Sequence, residues 1–257
     1  MPATNDLIIL NPDYGSGVFK RYIRLTTASP NTIIAALSDD CHAFSIHIEH
    51  NKRKLVRVIA DWERHPTSAC AGAVNAIKEA EGFQLCADVF FLRQHLAPRH
   101  QCTHIFDLLS LAIVHAYHQR PDYLYKIEVD DENDGVSDIR VFSNEQLVCD
   151  ATVNAVKFIS PEFMMGAPVK RGFSSWVKQT LSAEQCEVAL MMQMAYFVAI
   201  ARRFDLNAAS NYSVKNSSPP VGSCYALQEQ RIEDSIRLPS QRTLGDNTDE
   251  IFRFCDK

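Results

Sequence analysis

Between His42 and His50 the side chains alternate so that His42, Phe44, Ile46, Ile48 and His50 share one face of an extended chain. A polar turn, Asn51 to Lys54, follows at once. A period of two marks a strand with one buried face, and a turn this short returns the chain antiparallel to itself. This stretch is therefore expected in an antiparallel sheet. Strand-like runs at 22–26, 32–37 and 55–62 belong with it, and a second group lies at 123–130, 137–142 and 146–153.

Between and after these groups the period changes. Past Pro66 the spacing predicts a helix capped by Thr67 or Ser68, with Cys70, Ala73, Val74, Ile77 and Ala80 on one stripe and Gly82 ending it. A second helix is expected from Cys102, with His104, Asp107, Leu108, Leu111, His115 and His118 along one stripe and Arg120-Pro121 closing it. A third runs from 182 to about 204, where Ser182 and Gln185 have the spacing of a capping box.

The expected class is α+β, with antiparallel strands followed by helices in each half. Three parts are expected: a Cys/His-bearing α+β domain at 18–120, a second strand-plus-helix segment packed on it at 121–206, and a polar C-terminal tail at 207–257. Ser217-Ser218-Pro219-Pro220 reads as linker, and residues 1–17 as a turn-rich surface segment.

With 46% hydrophobic residues the chain can build a core. A net charge of -5, with Lys52-Arg53-Lys54 as the one basic run, disfavours a nucleic-acid partner, because neutralising phosphates needs clustered cations. Leu7-Ile8-Ile9-Leu10 is too short for a signal-peptide core, and the longest apolar region, 188–201, is broken by Gln193. No membrane partner is expected, and a homo-oligomer is compatible with the pattern. Eight scattered cysteines suit free thiols or ligands in a reducing cytoplasm.

Chemistry concentrates in a few residues. Cys70 stands where a helix should start, and unsatisfied N–H groups there favour a thiolate; the plain alternative is a buried core cysteine. Cys102-Thr103-His104 can ligate one metal from a helix start. In Asp39-Asp40-Cys41-His42, burial and like charge would raise one carboxylate toward neutrality and suit it to general base work, or the turn would simply bond its own amides. Asp40 and His42 are expected on one face, beside Phe44 and Ile46, with Asp39 turned away to serve the turn. Asp107, one turn from His104, could orient its imidazole. His115 is about 16 Å from His104 along the helix, too far to share a metal. Met191, Met192 and Met194 read as core, and the acidic run from Asp130 to Gly135 as a solvated turn. The expected catalytic set is Asp40, His42, Cys70 and His104. The expected metal set is Cys70, Cys102 and His104, with zinc or iron as the cofactor that suits thiolate and imidazole.

Taken together, Asp39-Asp40-Cys41-His42, Arg64-His65-Pro66, Cys70-Ala71-Gly72-Ala73, Cys102-Thr103-His104-Ile105-Phe106-Asp107-Leu108 and His115-Ala116 occur in order. In this the chain resembles the bacterial family called domain of unknown function 2889, over about residues 20 to 118 and more loosely beyond. Cys224-Tyr225-Ala226-Leu227 is similar to that family's C-terminal pattern. Members of the family look like companions of aromatic and steroid-type catabolic enzymes. The resemblance thus implies a catabolic enzyme acting on an apolar cyclic small molecule. A more distant architectural likeness is to iron–sulfur cluster scaffold proteins, which would imply a non-catalytic thiol or metal scaffold, or a partner subunit of a catabolic enzyme.

Overall fold

A computed structural model of the chain describes residues 9–215 and 220–256. Leu7 and Ile8, and Ser217 to Pro219 of the expected linker, lie outside the described residues. The fold is α+β, built on one seven-stranded antiparallel sheet. In chain order the strands are β1 (Val18–Ser29), β2 (Thr32–Asp39), β3 (Ala43–His50), β4 (Leu55–Arg64), β5 (Tyr123–Asp130), β6 (Val136–Ser143) and β7 (Gln146–Asn154). Their order across the sheet is β4-β3-β2-β1-β5-β6-β7. β1 pairs with β5, with Phe19 opposite Val129 and Ile23 opposite Tyr125, so one sheet runs through both strand groups.

The period-two reading of the first group holds. Phe44, Ile46 and Ile48 are completely buried, and they face α2 (Thr103–His118), which lies across β1, β2 and β3. Lys52, Arg53 and Lys54 form the exposed tip of the β3–β4 hairpin. At the β5–β6 hairpin Asp134 and Gly135 both take positive φ, which suits a two-residue turn between twisted strands. Not all of that acidic run is solvated, however: Asp131 is buried against Arg202 at 2.7 Å.

The stretch after Pro66 is not one helix. It is a succession of short turns: a 3-10 turn at Ser68–Gly72, α1 (Ala73–Ala76), and a second 3-10 turn at Ile77–Ala80. Thr67 stands at the N-cap position but makes no capping side-chain hydrogen bond. In the second half α3 (Phe173–Thr180) leads into α4 (Ala183–Ala199), whose Ser182–Gln185 capping box is formed. α4 covers β5 and β6 and touches α2, and Met191 and Met192 are buried in the shared core.

Where it is described, the polar C-terminal stretch packs on the body. Ser68 N donates to Ile236 O, Leu238 N to Pro66 O and Arg242 N to Asp40 O, at 2.8 to 2.9 Å. Ser235, Arg237 and Ser240 are buried. Two further short helices lie in this stretch, α5 (Glu229–Ile232) and α6 (Thr248–Ile251). Phe252, just past α6, packs on the opposite sheet face with Tyr22 and Ala36. Among the described residues no helix is long and apolar enough to cross a membrane.

Candidate functional site

β2 ends at Asp39, directly across from Arg21 of β1, and both side chains point to the helix-covered face. Arg21 is 2% exposed and Asp39 is fully buried, so each charge depends on the other. The guanidinium donates to Asp39 Oδ2 through Nε at 3.0 Å and Nη2 at 2.6 Å. The second oxygen, Oδ1, accepts from Cys41 N at 2.8 Å and His42 N at 2.7 Å, which winds the turn tightly around the carboxylate.

That turn delivers His42 to the same carboxylate. His42 Nδ1 lies 3.0 Å from Asp39 Oδ1. A carboxylate accepts, so Nδ1 carries the proton and Nε2 is left as the ring's basic nitrogen. Burial alone would raise the Asp39 carboxyl, but His42 and Arg21 outweigh it and hold the group well below the ordinary carboxylate range.

His104, in the first turn of α2, lies against the His42 ring with centroids 4.1 Å apart. Burial, with the neighbouring His42 and Arg21, pushes His104 well below the usual imidazole range, so it is neutral. On the outer side His42 faces Trp62 at 6.4 Å, and His65 lies 5.4 Å beyond Trp62. Trp62 and His65 are half-buried, and His42 keeps 6% of its surface exposed. Arg64 closes the turn from β4. Its guanidinium donates to the carbonyl oxygens of Asp39 (2.6 Å), Asp40 (3.0 Å), His42 (3.1 Å) and Ser240 (2.7 Å).

Several expected roles change hands here. Asp40 does not share a face with His42: β3 begins only at Ala43, so strand alternation does not apply at 40–42. Asp40 instead reaches Arg202, 3.2 Å from Oδ2, and Asp39 orients the imidazole. Burial and the Asp39 charge raise the Asp40 carboxyl to about 7 despite Arg202, so the expected raised carboxylate exists but away from His42. Asp107 pairs with Arg93 rather than with His104. His115 is completely buried, with Nε2 3.2 Å from Thr27 Oγ1.

Cys70 is the third residue of its 3-10 turn, not the head of a helix, and its sulfur lies 3.2 Å from Thr67 Oγ1. Burial pushes the thiol up to about 11, the reverse of an activated thiolate. Native Cys70 is therefore expected to react with iodoacetamide much more slowly at neutral pH than in urea; equal rates measured by peptide mapping would restore the thiolate expected at Cys70. The expected metal set does not assemble either. Cys102 Sγ is 3.9 Å from His104 Nδ1, but the His104 ring lies tilted against His42 and Cys70 Sγ lies against Thr67 Oγ1. Among the described residues no group of three or more His, Cys, Asp or Glu side chains is placed to hold a metal ion.

No protein-family model matches this chain, and no curated protein matches it.

The site must then be read from its own chemistry. Sequence reasoning missed Arg21 and Trp62, and it quoted Arg64 in a motif without foreseeing its place around the turn. Arg21 left a signal: Phe19, Arg21, Ile23 and Leu25 alternate along β1, so an arginine stands on an otherwise apolar face and requires a buried carboxylate. Next to the histidines, Arg21, His104 and Asp107 share a cavity of about 20 Å³ with Ile23, Leu37, Leu108 and Met194. That is room for roughly one water molecule, not for a ring compound.

Proposed function

We propose that this protein is an enzyme of general acid–base type, with His42 taking and returning a proton at Nε2 and Asp39 orienting the ring. The observation that carries this reading is the Asp39–His42 hydrogen bond at 3.0 Å, made inside a buried charge network next to a partly open aromatic wall. Arg21 keeps Asp39 ionised, which holds Nδ1–H in place and supports the imidazolium when it forms. Neutral His104 packs against the ring without adding a competing charge.

The substrate class we infer is an apolar cyclic small molecule. Trp62 and His65, set edge to face and half-buried beside His42, offer aromatic surface, and a ring packed against either would bring a polar atom toward Nε2. The expected resemblance to domain of unknown function 2889, with its aromatic and steroid-type catabolic company, points to the same class, and the scattered cysteines suit a reducing cytoplasm. A second reading, a non-catalytic structural clamp, draws on Arg64, which gathers four carbonyl oxygens around the same turn.

The test is a panel of cyclic ketones and lactones incubated with the protein in deuterium oxide and followed by mass spectrometry. Deuterium uptake or ring opening is expected for at least one compound, falling about 10²–10⁴-fold in His42→Ala. Wild-type rates no higher than those of His42→Ala across the panel would remove the acid–base reading.

A further inference from the structure

We propose that Cys102 and Cys224 form an oxidisable thiol pair, a modification site whose reagent is a low-molecular-weight disulfide. The backbone sets them side by side. Tyr225 N donates to Gln101 O at 2.9 Å, so the peptide group joining Gln101 to Cys102 bonds directly to the one joining Cys224 to Tyr225. Peptide dimensions and hydrogen-bond geometry then keep the two Cα atoms within about 6.5 Å. That lies inside the span a disulfide bridges.

Further contacts hold the two segments together. Gln228 Nε2 donates to Arg99 O at 2.6 Å and to Cys224 O at 3.2 Å. Tyr225 also packs on a third segment, the turn that carries Cys70, where a Cβ at Gly72 would meet its hydroxyl at 2.6 Å. Both cysteines are free.

Exposure sets the order of events, since Cys224 is partly exposed and Cys102 is buried. The Cys224 thiolate attacks the small disulfide RSSR, forms a mixed disulfide and releases one RS⁻. Cys102 then gives up its proton and attacks the Cys224 sulfur, forming the protein disulfide and releasing a second RS⁻. Two protein thiols are oxidised, one small disulfide is reduced to two thiols, and no other electron acceptor is involved. Burial holds both thiols above their ordinary range, so exchange is slow at neutral pH and accelerates as pH rises. The product fastens the C-terminal stretch to the N-cap of α2, two residues from His104.

The test is exposure of the full chain to oxidised glutathione at mildly alkaline pH, then peptide mapping without reduction. The expected product is a Cys102–Cys224 cross-link two hydrogens lighter than the dithiol, missing in Cys224→Ser. Cys102→Ser is expected to stop at the mixed disulfide on Cys224. Recovery of both cysteines as thiols, or a principal link from Cys70 to either one, would overturn the pair. The wild-type map alone decides the matter if a variant fails to fold.

Discussion

Replacing Asp39 with Asn is expected to cost about 3–5 kcal/mol of stability, because it strips a buried arginine of its counter-charge. Arg21 is 2% exposed and has no solvent to turn to, and the same substitution loosens the amides of Cys41 and His42. Urea unfolding at neutral pH measures this. His42→Ala removes a ring but strands no charge, so it is expected to unfold much closer to wild type. If His42→Ala unfolds as early as Asp39→Asn, the turn is a structural clamp and the acid–base reading weakens. The pH dependence has a definite sign. A carboxyl held below its unfolded value contributes its full stability above that value and loses it as pH falls through the folded one. Asp39 therefore adds to acid sensitivity.

Asp40 is expected to behave in the opposite way. Its folded carboxyl titrates near 7, against 3.8 for the ordinary group. The unfolded chain releases that proton first, so stability falls as pH rises between these values and levels off above about 7. The displacement corresponds to at most about 4 kcal/mol. Asp40→Asn mimics the protonated group, and Arg202 still keeps its 2.7 Å contact with Asp131. The variant is thus expected to be more stable than wild type at alkaline pH, with the advantage gone near pH 4, and to retain turnover. Thermal midpoints across pH test this, and a variant less stable than wild type at alkaline pH would show that ionised Asp40 is needed by Arg202.

What could be seen in the sequence follows from the range of each interaction. Alternation at Phe44, Ile46 and Ile48, and the Ser182–Gln185 cap, are encoded within a few residues and were legible. The succession of short turns after Pro66 was not, because residues far along the chain shape it: Ile236 accepts from Ser68, and Tyr225 packs on Gly72. The segments that meet at the candidate site were legible as well, since Asp39, His42 and His104 all lie in those singled out. Their roles were not. Which of two adjacent aspartates meets His42 depends on the β1–β2 register that sets Arg21 opposite Asp39, and on Arg202 arriving from the turn just past α4 to take Asp40. The activated state expected of Cys70 failed for a related reason: local helix-start logic omits the burial that the rest of the chain imposes.

The most direct measurement is the nitrogen-15 NMR spectrum of the His42 imidazole in the wild-type protein across pH. The Asp39 bond predicts a protonated, pyrrole-like Nδ1 throughout, with Nε2 as the nitrogen that gains and loses the proton. A ring whose proton resides on Nε2, with Nδ1 titrating, would contradict the claim that Asp39 orients His42 as a base.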